Sequence, residues 1–162
     1  VTEPMNSSIK ASFTIEGQII DSRRVDDVIY IISSHIPSID GIVYASTVDE
    51  KTHNYTLINN TDISQLLPTY QDLDGVTLPL VNADDCYIPE DATNKDGFDS
   101  IVTLAAINIA TLQPLNSVCI NTQVSGIYAS ATSIYLYGTE YQYSEEESTE
   151  TSIIHKFTLD SL

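Results

Sequence analysis

Polar and apolar residues alternate along residues 11–19, with Phe13 and Ile15 on one side and Ser12, Thr14, Glu16 and Gln18 on the other. That pattern predicts a half-buried strand after a polar, non-periodic arm at 1–10. Residues 20–25 read as a second strand and Asp26-Asp27 as a turn. Residues 28–34 are so rich in apolar and β-branched side chains that they predict a central strand covered on both faces. From 35 to 99 the pattern breaks: Pro37, Gly41, Pro68, Gly75, Pro79, Pro89 and Gly97 punctuate it, and only 41–47 and 55–59 read as short strands. Within this stretch Asp62 is placed to cap a short helix through Ser64, Gln65, Leu66 and Leu67, which Pro68 ends. Residues 78–81 and Tyr87-Ile88 are apolar anchors. Strand patterns return at 101–109, 117–123, 126–130, 134–138 and 153–159, with Gln113-Pro114 in a turn. Between them, residues 140–152 are acidic and hydroxyl-rich and read as a low-complexity loop.

The early pattern recurs. Residues 12–34 align without a gap on 117–139 at an offset of 105, with Ser12/Ser117, Ile15/Ile120, Gln18/Gln123, Ile29/Ile134 and Tyr30/Tyr135 identical. The cycle runs 11–19, 20–25, 28–34 and, past the insertion at about 35–99, 101–109, and it restarts at Ser117. Subtracting roughly 60 inserted residues leaves about 40–45, the length of one four-stranded propeller blade. The expectation is an all-β chain: a partial β-propeller of about two four-stranded antiparallel blades, in a single domain over 1–162, with a long, mostly irregular insertion carrying a short helix. A ring takes about four to eight blades. Two cannot close one, so the chain reads as a piece cut or processed from something larger.

Composition narrows the partners. Against 23 acidic residues stand 6 basic ones, a formal charge of -17, which repels phosphate backbones and argues against nucleic acid. The same charge serves plain solubility or attracts cations and basic partners. No apolar run approaches the ~20 residues that span a bilayer, and no signal sequence opens the chain. The two cysteines, Cys86 and Cys119, in a chain poor in Lys and rich in Ser, Thr and Tyr, point to an oxidising environment and one disulfide; two separate buried thiols are the alternative.

With these residues in view, the chain resembles the bacterial secreted β-propeller domain family that is distantly related to WD40 repeats. The likeness rests on EGQIIDSRRVDDVIYIISSHIPS (16–38), LLPTYQDLDG (66–75), PLVNADDCYIPEDATNKDGF (79–98) and the closing IIHKFTLD (153–160). It implies an exported protein of uncharacterised activity, secreted, periplasmic or anchored to the outer membrane, and it carries no catalytic residues with it.

Candidate chemistry is sparse. Asp91, Asn94, Asp96 and Asp99 surround an Asp-Gly pair and could hold calcium, the one cofactor worth naming, but the spacing fails the EF-hand pattern and a plain Asp-Gly turn explains it. Arg23 and Arg24 beside Asp21, Asp26 and Asp27 read as an anion clamp or as local ion pairs fixing the turn. His155 alternates with Ile153 and Phe157, which places it facing the core, held by a hydrogen bond. His35 and His53 lie in the insertion without ligand-spaced neighbours. Tyr135, Tyr137, Tyr141 and Tyr143 could stack on sugar or peptide, or pack at blade edges. No nucleophile elbow and no placed acid/base pair is visible. These features favour a non-enzymatic binding or scaffolding module with a protein or glycan partner; the alternative is a piece of a propeller-type hydrolase or lyase whose site is completed elsewhere. Open blade edges also predict self-association.

Overall fold

The structure is a computed structural model that describes residues 9, 12–88, 90, 97–143 and 148–159. Its largest sheet is built on β2 (Gln18–Val25), β3 (Val28–His35), β7 (Ile101–Asn108) and β8 (Pro114–Asn121), an antiparallel meander in that order. The short β6 (Cys86–Tyr87) adds to it in parallel beside β8. A second sheet has the order β11-β10-β9, from β9 (Gly126–Ala129), β10 (Ser133–Tyr143) and β11 (Ser148–Thr158). A small third sheet joins β1 (Thr14–Ile15) to β4 (Thr69–Gln71) and β5 (Thr77–Pro79).

Two apolar layers hold these sheets together. Tyr30 and Ile32 of β3, Val102, Leu104 and Ala106 of β7 and Ile120 of β8 pack against Ile134, Leu136 and Leu159 of the second-sheet side. On the other face of the first sheet, Ile31, Ala105 and Ile107 are covered by Tyr70 and Leu80, with Phe13 and Ile15 beside them. The expected two-sided burial of 28–34 is therefore what β3 shows. Ile32 and Ile107 are completely buried, and each such side chain contributes roughly 1.5–3 kcal/mol.

The repeat survives in three dimensions, with its strand frame shifted. β2 and β9 each end a sheet, β3 and β10 each come second, and the offset of 105 carries one pair onto the other. The run at 11–19 is not one strand, because Gly17 adopts φ +96 and splits it: Thr14–Ile15 goes to the small sheet and Gln18 opens β2. A bulge at Ile20 then lets β2 run unbroken to Val25. The segment beginning at Ser117 consequently lies in the fourth strand of the first sheet, and the second sheet has three strands among the described residues.

Other expectations change too. Residues 55–59 are helical, inside α1 (Val48–Asn60), and 41–47 form no strand. A capping box starts α1: the Thr47 hydroxyl accepts from Glu50 N, and the Glu50 carboxylate accepts from Thr47 N at 2.8 Å. The Asp62 cap is present, accepting from Ser64 N at 2.8 Å at the head of the 3-10 turn Ile63–Gln65. Of the anchors, Leu80 and Val81 are buried, whereas Tyr87 and Ile88 are exposed. The acidic stretch at 140–152 is mostly strand: β10 and β11 pair continuously from Ser133↔Thr158 to Tyr143↔Ser148. Backbone hydrogen bonds of an eleven-rung hairpin there outweigh a composition that by itself favours solvent.

Candidate functional site

In the first sheet the strands alternate in direction, so the start of β2, the end of β3, the start of β7 and the end of β8 meet at one end. The insertion leaves and re-enters there, at residues 36 and 100. At the same end the chain crosses into the second sheet through residues 122–125. Between these segments lies a cleft of about 390 Å³. Gln18, Ile19 and Ile20 line it from β2, Ser34 and Ile36 from the end of β3, Asp99 and Ser100 from the approach to β7, and Gln123 and Val124 from the crossing.

Two glycines set the backbones that shape it. A Cβ on Gly17 would run into the carbonyl oxygen of Ser34, and one on Gly138 into that of Gln123. Only a hydrogen leaves room for either approach. Asn121 supplies the remaining clamp. Its amide nitrogen donates to Phe98 O (2.8 Å) and Ser100 O (2.9 Å), while its oxygen accepts from Phe98 N (2.8 Å), locking 98–100 onto the end of β8. Ser100 Oγ donates to Thr122 O at 3.2 Å, and Thr122 Oγ1 lies 3.3 Å from His155 Nε2. Partial burial holds the His155 imidazole below its ordinary value, so it is neutral at pH 7. Its inward placement with a hydrogen-bond partner matches the alternation read from 153–159.

Among the described residues, Asp99 is the one ionisable side chain lining the cleft, and it is exposed. Of the four residues considered for calcium, Asp91, Asn94 and Asp96 lie outside the described residues. Among the described residues, no group of three or more His, Cys, Asp or Glu is placed to hold a metal. Arg23, Arg24, Asp26 and Asp27 sit at the opposite end of β2 from the cleft. There Arg24 Nε donates to the Asp26 carbonyl at 2.8 Å, and Ile109 N donates to the Asp27 carbonyl at 2.9 Å, which fixes a tight turn whose Asp26 has φ 50. Cys86 and Cys119 form the disulfide, with Cα atoms 4.4 Å apart, and tie the insertion to β8. His53 Nε2 lies 3.1 Å from Gly41 O inside the insertion. Tyr135 and Tyr137 stand on the face of β10 turned away from the first sheet; Tyr128 is 6.0 Å from Tyr135 between ring centroids, and Lys156 Nζ is 5.9 Å from the Tyr135 ring. Tyr141 and Tyr143 lie on the same strand. Reasoning from sequence missed Asn121 and the cleft itself; the only available signal was the identity of Gln18 and Gln123 in the repeat.

Equivalent residues keep equivalent directions. Ile29 faces the small sheet and its counterpart Ile134 faces the first sheet, while Tyr30 faces the second sheet and its counterpart Tyr135 points onward from it. A four-stranded meander packed face to face against a second antiparallel sheet, with β2 and β9 as the equivalent terminal strands of the two, is the arrangement of a propeller-type β protein. The chain belongs to the Beta propeller domain family, whose model matches residues 1–162. No curated protein and no solved structure matches it.

Proposed function

We propose that the chain is a binding or scaffolding module of an exported β-propeller, and that the cleft at the insertion end is where it takes its partner. The observation that carries this reading is the convergence of the first sheet, the crossing to the second and both ends of the insertion on one concave, mixed apolar and polar surface. The Cys86–Cys119 bond fits an oxidising compartment outside the cytosol. Among the described residues no helix is long and apolar enough to cross a membrane. A thermal-melt screen against peptides of either charge, glycans and cell-wall fragments tests the reading, run beside a Gln123→Trp variant that fills the mouth of the cleft. A ligand at one hundred times its dissociation constant adds about 2.7 kcal/mol. That appears as a rise of roughly 5–10 °C. The expected result is a rise in the native chain that the variant lacks; an equal rise in both moves binding elsewhere, and no rise with any class removes the reading.

A further inference from the structure

Resting on that reading of the cleft, we propose that its occupant is a cationic side chain, arginine above all, presented by a partner polypeptide. Among the described residues, Asp99 supplies the only charge on the cleft wall, and no Lys or Arg lines it. Gln18 and Gln123, which the repeat makes equivalent, bring one carboxamide each, from β2 and from the crossing at 122–125. Among the described residues, neither amide nor the Asp99 carboxylate has a side-chain hydrogen-bond partner. A carboxylate oxygen pair with two amide oxygens is an acceptor set suited to the five forked donors of a guanidinium.

The rest of the wall fits the stem. Ile19 and Ile36 are 56% and 65% exposed, large apolar side chains that the fold itself does not use. With Val124 they offer an apolar track for three methylenes, while the charged head stays at the wet rim. Anions are opposed by Asp99 and by the net charge of -17, which also speeds the approach of a basic partner. Sugars are the weaker fit, because among the described residues no aromatic ring lines the cleft to stack on a pyranose face.

Titrating the isotope-labelled full chain by amide NMR tests the proposal. The probes are a short Gly/Ser peptide with one central arginine, the same peptide with citrulline, and neutral chitotriose. Saturable shifts at Gln18, Asp99 and Gln123 are expected with the arginine peptide, with citrulline binding at least about tenfold weaker. Asp99→Asn should weaken the arginine peptide by a similar factor, while Asp84→Asn, the same charge change at an exposed site off the cleft, leaves binding within about twofold. Equal weakening by both variants would reduce the effect to diffuse attraction and overturn the proposal. Equal binding of the citrulline peptide, or shifts from chitotriose alone, would overturn the cation while keeping the cleft as a site. Silence of the cleft toward the arginine peptide also overturns it, and the melt screen then decides separately whether the binding reading stands.

Discussion

Thr103 carries a hydroxyl that the fold buries completely and leaves without a hydrogen-bond partner among the described residues. It sits mid-strand in β7, opposite Ser33 and Cys119, where neighbouring strands already use every adjacent backbone group. An unpaired buried hydroxyl costs about 1–3 kcal/mol, so Thr103→Val, which keeps the shape, should raise stability by about that much in urea titration. A loss instead would mean that the hydroxyl has a partner such as buried water. His155 and Glu50 separate the acid response into two windows. Burial lowers the folded value of His155 below 6.5, so the unfolded chain takes the proton first. Stability is full above that pH and falls as acid is added from about 6.5 downward, and His155→Gln should flatten this limb. Hydrogen bonds from Thr47 and Ser46 lower Glu50 to about 2 from 4.5, so its contribution is lost only as pH falls between those values. Melts recorded from neutral pH to pH 3 on the native chain, His155→Gln and Glu50→Gln check the assignment: the first variant should lose the upper window and the second the lower.

At the scale of elements, what was legible and what was not divides along physical lines. The repeat showed because Ile29/Ile134 and Tyr30/Tyr135 occupy strands with equivalent neighbours on both sides, which keeps the residue types alike. The strand frame did not, since a single positive φ at Gly17 and a bulge at Ile20 decide where β2 begins, and neither leaves a periodic mark. Helix α1 was misread at 55–59 because it buries no residue, so no apolar stripe exists to be seen; the Thr47-to-Glu50 capping box was the local sign of its start. The long β10/β11 hairpin was hidden by its acidic composition. For the cleft, only Gln18 and Gln123 stood out, because its other walls come from segments distant in sequence. Gly138 offers the sharpest test at this scale. Gly138→Ala must push the Gln123 backbone away, and we expect a destabilisation of about 1–3 kcal/mol together with loss of cleft binding. An unchanged melt would show that the crossing at 122–125 yields without cost.

For the whole molecule, the insertion acts as a cover. Its strands β4 and β5 and residues Leu80 and Val81 close the face of the first sheet that points away from the second. The disulfide fastens that cover across a sequence separation of 33, which on the chain-entropy account stabilises the fold by about 3–4 kcal/mol. Reduction should lower the denaturation midpoint accordingly; a shift near zero would mean that apolar contacts alone hold the insertion in place.

The pairing of β3 with β7 sets a timetable as well as a shape. Its innermost rung, His35↔Ile101, closes over the residues numbered 36–100, while Tyr143↔Ser148 closes over only 144–147. On loop-closure entropy the longer span costs about 2.5 kcal/mol more before any contact repays it. The β10/β11 hairpin is thus expected to form first, and the larger sheet to assemble on it late, so that refolding is limited by one long-range encounter. Pulse-labelled hydrogen exchange should find amides of β10 and β11 protected before those of β3 and β7. Simultaneous protection would mean that the cover is already in place when the chain collapses, and that the insertion shortens the search instead of delaying it.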